Sequence, residues 1–487
     1  MSDTVSKQAV IEPHATAVKL TMLISGAVFA LMMLIGVIMR ASQGGLIDMN
    51  PAFFYQLLTV HGTGMVGTAG FSGAGIMWYF LGRHVPLSKN MYYAFMVLFL
   101  LGVVCILSST MIGGFGGMWT FLFPLPAAQA GAAWPVWAAA TFMLGYVLIG
   151  VGFLLYYLAV GLALIRKYGG LGRALGWHIV FGRAEADDAP PPTVIAAAAV
   201  TVFNTLGTVV GAAVLIASLI NLYQPGFEVD ALLAKNMTYF FGHVFINAAL
   251  YMAVIAVYEL LPEYTGRPWK SSKPFILAWS AILLFVLAVY PHHLMQDMVM
   301  PAWMIVMGQI VSYLSGVPLL AVTAFSMMVY MYGAKFKWDL ASSLLVLGVA
   351  GWTIGAVPAI IDGMVVVNKV MHNTQWVPGH FHIYLLVGQV GMSFGFMAWL
   401  VKDKTRSSEG LGGLDKVLLT SFAAGSAAFT LMFLVSGALS VPRRWAIHWP
   451  EWFVQDRIAT VAALVVVLSV LTMLIRYATG LARSNET

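Results

Sequence analysis

Apolar residues run through this chain in blocks of about twenty to thirty, separated by short polar segments. The blocks fall at about 17–40, 53–81, 90–112, 134–165, 194–222, 236–262, 274–296, 300–332, 340–368, 377–401, 414–439 and 458–481. Each is long enough to cross a bilayer as a helix, because a span of about twenty residues rising 1.5 Å apiece matches the hydrocarbon thickness. The pattern predicts an all-α membrane protein with twelve transmembrane helices. The first block, from about Ala17 to Met39, exceeds a signal-peptide core and lacks a convincing cleavage site, so a retained helix is expected. Residues 184–192, Ala-Glu-Ala-Asp-Asp-Ala-Pro-Pro-Pro, form a polar loop inside a single domain covering 1–487. No internal repeat or soluble domain interrupts the series.

Charge sets the orientation. Loops after the even-numbered blocks carry Arg83 and Lys89; Arg166, Lys167, Arg173 and Arg183; Arg267, Lys270 and Lys273; Lys335 and Lys337; and Lys402, Lys404 and Arg406. The opposite loops are poorer in basic residues, and 113–133 has none. Basic loops stay on the cytoplasmic side, which places both termini there. The same rule accounts for the net charge of +6, so no nucleic-acid partner is inferred. One outer segment breaks the rule: Pro442-Arg443-Arg444-Trp445 puts two cations where few are expected and asks for an anionic partner. Composition agrees with the pattern, being 60% hydrophobic and 9% charged. The single cysteine, Cys105, lies in an apolar run, which excludes an intramolecular disulfide, a Cys-x-x-Cys-His haem attachment and a cysteine-rich metal site.

Within this frame the histidines are not scattered. His372, His380 and His382 lie in the run His-Asn-Thr-Gln-Trp-Val-Pro-Gly-His-Phe-His that opens the tenth block. Two residues along a helix is about 200°, so His380 and His382 leave on nearly opposite faces and serve two centres, not one. His61, His243, His292 and His293 fall, with them, in the outer half of the membrane. Any one intramembrane histidine is equally well read as a hydrogen-bonded interior side chain; six converging at one depth suit neutral-imidazole ligation of haem iron and copper. His380 and His382 would ligate two haems, His61 would complete the six-coordinate one, and His243, His292 and His293 would hold a third, non-haem metal. Adjacent His292 and His293 can share an ion if the helix end relaxes. His14, His84 and His178 read as solvated terminus or loop residues, while His372 and His448 lie near the outer surface where haem propionates could use them. Glu259 reads as a solvated helix end. Asp362, at the outer end of the ninth block, reads as a polar helix end or an aid to proton entry.

Tyr55-Gln56-Leu57-Leu58-Thr59-Val60-His61-Gly62, Phe241-Gly242-His243, Pro291-His292-His293, the run from His372 to His382 and Pro442-Arg443-Arg444 together resemble the catalytic subunit of the haem–copper oxidase superfamily, over essentially the whole chain and most nearly its B-type oxidases. The resemblance implies His61 and His382 axial to a low-spin haem and His380 proximal to a high-spin haem, both of b type. It also implies one copper, or alternatively a non-haem iron, on His243, His292 and His293, and propionates held by Arg443 and Arg444. An electron donor is implied too, a cupredoxin-like CuA-type subunit, a cytochrome c or a quinol, together with residence in the cytoplasmic membrane of a prokaryote.

The departures bear on the reaction. Oxygen-reducing members carry a tyrosine four residues after the first copper-ligand histidine; here that position is Asn247, one turn from His243. The position six residues ahead of the first histidine in Pro-His-His, used by other members, is Val286, and Tyr290 is out of register. The inner proton path is reduced as well, with Leu319 and Val322 after Pro318 where hydroxyls or a lysine belong, and Thr323 as a neighbouring relay. These losses point to reduction of nitric oxide to nitrous oxide, with Asn247 at the catalytic site and copper favoured because no carboxylate joins the imidazoles. A B-type terminal oxidase reducing O2 to water is the alternative.

Overall fold

The computed structural model describes residues 15–118, 125–129, 131–402 and 410–484. Among these, the architecture is entirely helical; the one extended pairing is an isolated antiparallel bridge between Thr374 and Pro442. The long helices are numbered here in chain order: α1 Ala15–Gln43, α2 Pro51–Leu81, α3 Lys89–Ile112, α4 Val136–Tyr168, α5 Pro192–Tyr223, α6 Ala231–Thr265, α7 Lys273–Leu294, α8 Ala302–Met331, α9 Leu340–Asp362, α10 Trp376–Leu400, α11 Gly413–Ala438 and α12 Pro450–Arg483. Eleven of them are long and apolar enough to cross a membrane. The exception is α2, whose 31 residues include His61, six glycines, three threonines and a serine and which is buried throughout from Thr68 to Leu81.

Local sequence sets where these helices begin. Asn50 accepts a hydrogen bond from Ala52 N at 2.8 Å with Pro51 opening α2, and Asp230 accepts from Leu233 N at 2.7 Å at the start of α6. The expected ninth block is two helices, α9 and the short Val365–Met371, because the chain turns at Gly363 and Met364.

The interior is organised on α6, which packs against α2 and α5. Without a hydrophobic drive inside lipid, such packing depends on close backbone approach at small residues. A Cβ added to Gly73 of α2 would stand 2.7 Å from the carbonyl oxygen of Ala249 in α6, so glycine is what lets the two helices meet. Near the start of α10 the approach to α11 is closer still: a Cβ on Gly437 would lie 2.1 Å from Trp376 N.

Glu259 and His84, both expected to be solvated, pair with each other, and His448, expected at the outer surface within reach of propionates, is enclosed. Glu259 is held by His84 Nε2 at 2.9 Å and by a short hydrogen bond from Thr193, with Arg83 at 3.8 Å, so the end of α6 is tied to the loop after α2 and to the start of α5. His448 is fully enclosed: its Nδ1 lies 2.6 Å from Asp456, whose other oxygen takes Arg40 at 2.7 Å. The loop carrying it folds back over the ends of α1 and α12, which is why an apparently superficial histidine is buried. His178 is half-buried, and His14 lies outside the described residues.

Candidate metal and haem centre

Helices α6 and α7 bring three imidazoles to one point. Regular α-helix in α7 stops at Ala288, and Tyr290–Leu294 forms a tighter 3₁₀ turn with Pro291 near its start. That change of pitch lets neighbouring His292 and His293 face the same space. Their ring centres are 4.3 Å apart, with His243 at 4.8 Å from His292 and 5.2 Å from His293. One nitrogen from each ring lies within 4.8 Å of the other two. His243 Nδ1 and His293 Nε2 are separated by 3.0 Å, close to the roughly 3.3 Å that two nitrogens keep on a tetrahedral ion. His292 Nδ1 is 2.5 Å from Ser312 Oγ on α8, an outer contact of the kind that fixes a ligand's tautomer and leaves Nε2 for a metal.

A second pair lies across the cavity. His61 and His382 have ring centres 6.3 Å apart and planes 28° from parallel. A metal–imidazole bond of about 2 Å on each side, with about 1.1 Å from each Nε2 to its ring centre, requires about 6.2 Å. The rings are therefore spaced to take one iron between them. Each Nδ1 already faces a backbone carbonyl, that of Met32 at 2.7 Å for His61 and that of Pro378 at 2.6 Å for His382, so each presents Nε2 inward. Phe433 stacks on His382 at 5.0 Å and Phe429 meets its edge at 5.2 Å. His380, two residues before His382, lines the same cavity as His292. Its buried Nδ1 has no hydrogen-bond partner, an orphaned nitrogen in a position suited to metal or haem chemistry.

All six histidines line one cavity of about 430 Å³, together with His372, Gln375, Arg443 and Arg444. The arginines are delivered by a loop sewn to the start of α10: Arg443 N donates to Asn373 O and Gln375 N donates to Val441 O, each at 2.9 Å. Arg444 takes a left-handed backbone, φ 67°, a cost a non-glycine residue bears only when its surroundings hold it there. Burial pushes Arg443 down to about 10, with the neighbouring Arg444 adding to it, and burial followed by these two cations pushes His372 down to about 4. Two half-buried cations beside a neutral imidazole form an anion-binding wall, fitted to carboxylates such as propionates.

Asn247 lies one turn below His243, but its amide turns back along α6 and donates to His243 O at 2.9 Å, and it does not line the cavity. Val286 is buried, and Tyr290 packs edge-on against Phe240 at 5.6 Å. Leu319 and Val322 are buried, while Thr323 shares a 2.7 Å hydrogen bond with Tyr258. His448, engaged with Asp456, does not line the cavity. Two contributors escape the sequence reading. Arg40 lines the cavity and sits 3.9 Å over the ring of Phe433; an arginine inside an apolar block is the signal that marks it. Tyr239, one turn before His243, lines the cavity and stacks on His293 with ring centres 5.4 Å apart and planes 20° apart. Its spacing of four from His243 places it on the ligand face.

Residues 16–474 match the family described as Cytochrome C and Quinol oxidase polypeptide I, and the chain belongs to that family. It is similar to the cytochrome c oxidase subunit 1 of Thermus thermophilus, 26% identical over 234 residues, which are 44% of this chain and 41% of that protein. It is also similar to the cytochrome c oxidase polypeptide 1 of Halobacterium salinarum, 25% identical over 254 residues, covering 52% and 42% respectively. The matched region thus spans less than half the length of these relatives. The fold is shared with a heme-copper terminal oxidase dimer solved by cryo-EM, at a TM-score of 0.74 and 20% identity over 95% of this chain and 84% of that one.

Proposed function

We propose that this chain is the catalytic subunit of a membrane nitric oxide reductase of the haem–copper superfamily, converting two NO to N2O and water. The observation that carries the reading is Asn247: no phenol stands one turn after His243, and the amide there donates back to His243 O of its own helix at 2.9 Å. Nitric oxide reduction needs two electrons and two protons and cleaves no O–O bond, so a phenol that supplies an extra electron and proton is dispensable. Asn247 then matters for what it replaces more than for what its amide does.

In this reading His61 and His382 hold a low-spin b-type haem, and His380 holds a high-spin b-type haem. His243, His292 and His293 hold copper, with non-haem iron as the alternative. When bound, these groups supply the electrons and the site at which the two nitrogens join. The chain's own residues orient and enclose. Ser312 and the carbonyls of Met32 and Pro378 fix imidazole tautomers, Phe429 and Phe433 keep water from His382, and Arg443, Arg444 and His372 take propionates. Helix α2 serves as the twelfth span, both termini face the cytoplasm of a prokaryote, and a cupredoxin-type subunit or cytochrome c delivers electrons from outside.

The names of the relatives and Tyr239, a phenol stacked on His293, favour a second reading as a terminal oxidase reducing O2. Anaerobic turnover with reductant separates them. The reductase reading expects one N2O for every two NO consumed, with O2 uptake by the same preparation slower; brisk O2 uptake without N2O refutes it.

A further inference from the structure

One buried acid faces the cavity without a part in holding metal or haem. Asp362, the last residue of α9, is 8% exposed and is the only carboxylate among the described residues lining that cavity. The next residue, Gly363, packs against Ser312, whose hydroxyl holds His292; a Cβ at Gly363 would stand 3.4 Å from that of Ser312. The acid therefore sits beside the support of the three-histidine cluster. On its other flank Asn368, 2% exposed, donates to Asp362 O at 2.8 Å and to Oδ1 at 3.2 Å. Gln296 in turn donates to Asn368 Oδ1 at 2.8 Å. Gln296 begins the turn between α7 and α8, where Met298 and Val299 are 100% and 70% exposed, and its neighbour Asp297 pairs with Lys235. Polar groups thus run without a break from an exposed loop to the cavity wall. The loop belongs to the face that the basic residues assign to the outside. The charged and titratable groups near Asp362 are Arg443, whose charge it feels directly, and the histidines lining the same cavity, His372, His292 and His293.

We propose that Asp362 is the carboxyl group through which protons enter this cavity from the outer face, with Asn368 and Gln296 holding it in place. The proposal deepens the reductase reading and rests on it for the demand: two NO, two electrons from the outer donor and two protons give N2O and water. In each of two cycles Asp362 gives its proton to the cavity and regains one from water at the 295–301 loop. The amides transfer no proton themselves; they orient the carboxyl and the water that reaches it. An isosteric amide at 362 keeps the hydrogen bonds and removes the exchangeable proton.

The test compares wild type, Asp362→Asn and Asp362→Glu in proteoliposomes, with a pH indicator outside and the haem spectra recorded in the same mixing experiment. Asp362→Asn should retain its haems and accept electrons into the low-spin haem at the wild-type rate, while proton uptake and turnover slow by about a hundredfold, and Asp362→Glu should restore most of both. Undiminished uptake in Asp362→Asn overturns the proposal, as does an equal slowing of electron entry, which a purely structural role would give. If Asp362→Asn assembles without haem, Gln296→Leu carries the test: slower uptake at full haem content supports the route and unchanged uptake overturns it. Uptake is followed with whichever of NO or O2 the wild type reduces, so failure to form N2O would refute the reductase reading without deciding Asp362.

Discussion

Removing the carboxylate of Asp456 tests whether the end of α1 and the starts of α10 and α12 are held together as described. Asp456 takes Arg40 Nη1 at 2.7 Å and His448 Nδ1 at 2.6 Å, with side-chain exposures of 2% for Asp456, 7% for Arg40 and 0% for His448. Asp456→Ala strands a buried guanidinium and a buried imidazole without their carboxylate. Breaking a buried ion pair from one side costs about 3–5 kcal/mol. Arg40 keeps two contacts, Gln375 Oε1 at 3.1 Å and the face of Phe433 at 3.9 Å, the latter worth up to about 2 kcal/mol when desolvated. Those contacts place the expected loss near the lower bound, about 3 kcal/mol. The double variant Arg40→Met/Asp456→Leu removes both charges and should recover most of it, because apolar replacement of a buried pair is often neutral. The assay is reversible unfolding in mixed micelles with rising dodecyl sulfate, followed by tryptophan fluorescence at constant haem content. A loss below about 1 kcal/mol in the single variant, or a double variant no better than the single, would refute the buried pair.

Two further outcomes follow from the geometry. His61→Ala and His382→Ala should each abolish the low-spin haem spectrum, since either leaves one side of a 6.3 Å gap without a ligand; an unchanged reduced spectrum rejects the pairing. Gly437→Ala should displace the start of α10, because its new methyl would fall 2.1 Å from Trp376 N, and should lower the content of both haems together; a fully haem-loaded variant would show that α10 has slack there.

What could be read from the sequence follows the range of the forces involved. Membrane spans are written locally as apolar runs, and where the six histidines fall along those runs already puts them at one level, as the cavity they share has them. Helix α2 shows the limit, because a span that turns its glycines and hydroxyls to other helices loses the apolar signal while keeping the length. Pairings between distant helices are not written locally. Arg40 and Asp456 are 416 positions apart, and no spacing in the chain connects them. His448 looked superficial because Asp456, eight residues on, is itself drawn inside by Arg40 from α1. Glu259 looked solvated because a helix end usually is; His84 and Thr193, from two other segments, enclose it. Tyr239 is locally legible, four residues and one turn before His243 and so on the same helix face.

In the proposed reading His243, His292 and His293 hold copper in the same cavity as a pair of haems. Elemental analysis of the purified chain, repeated on His243→Ala, tests it most directly. Wild type should give two irons and one copper per chain, with copper lost and both irons kept in the variant. Three irons and no copper in the wild type would contradict it.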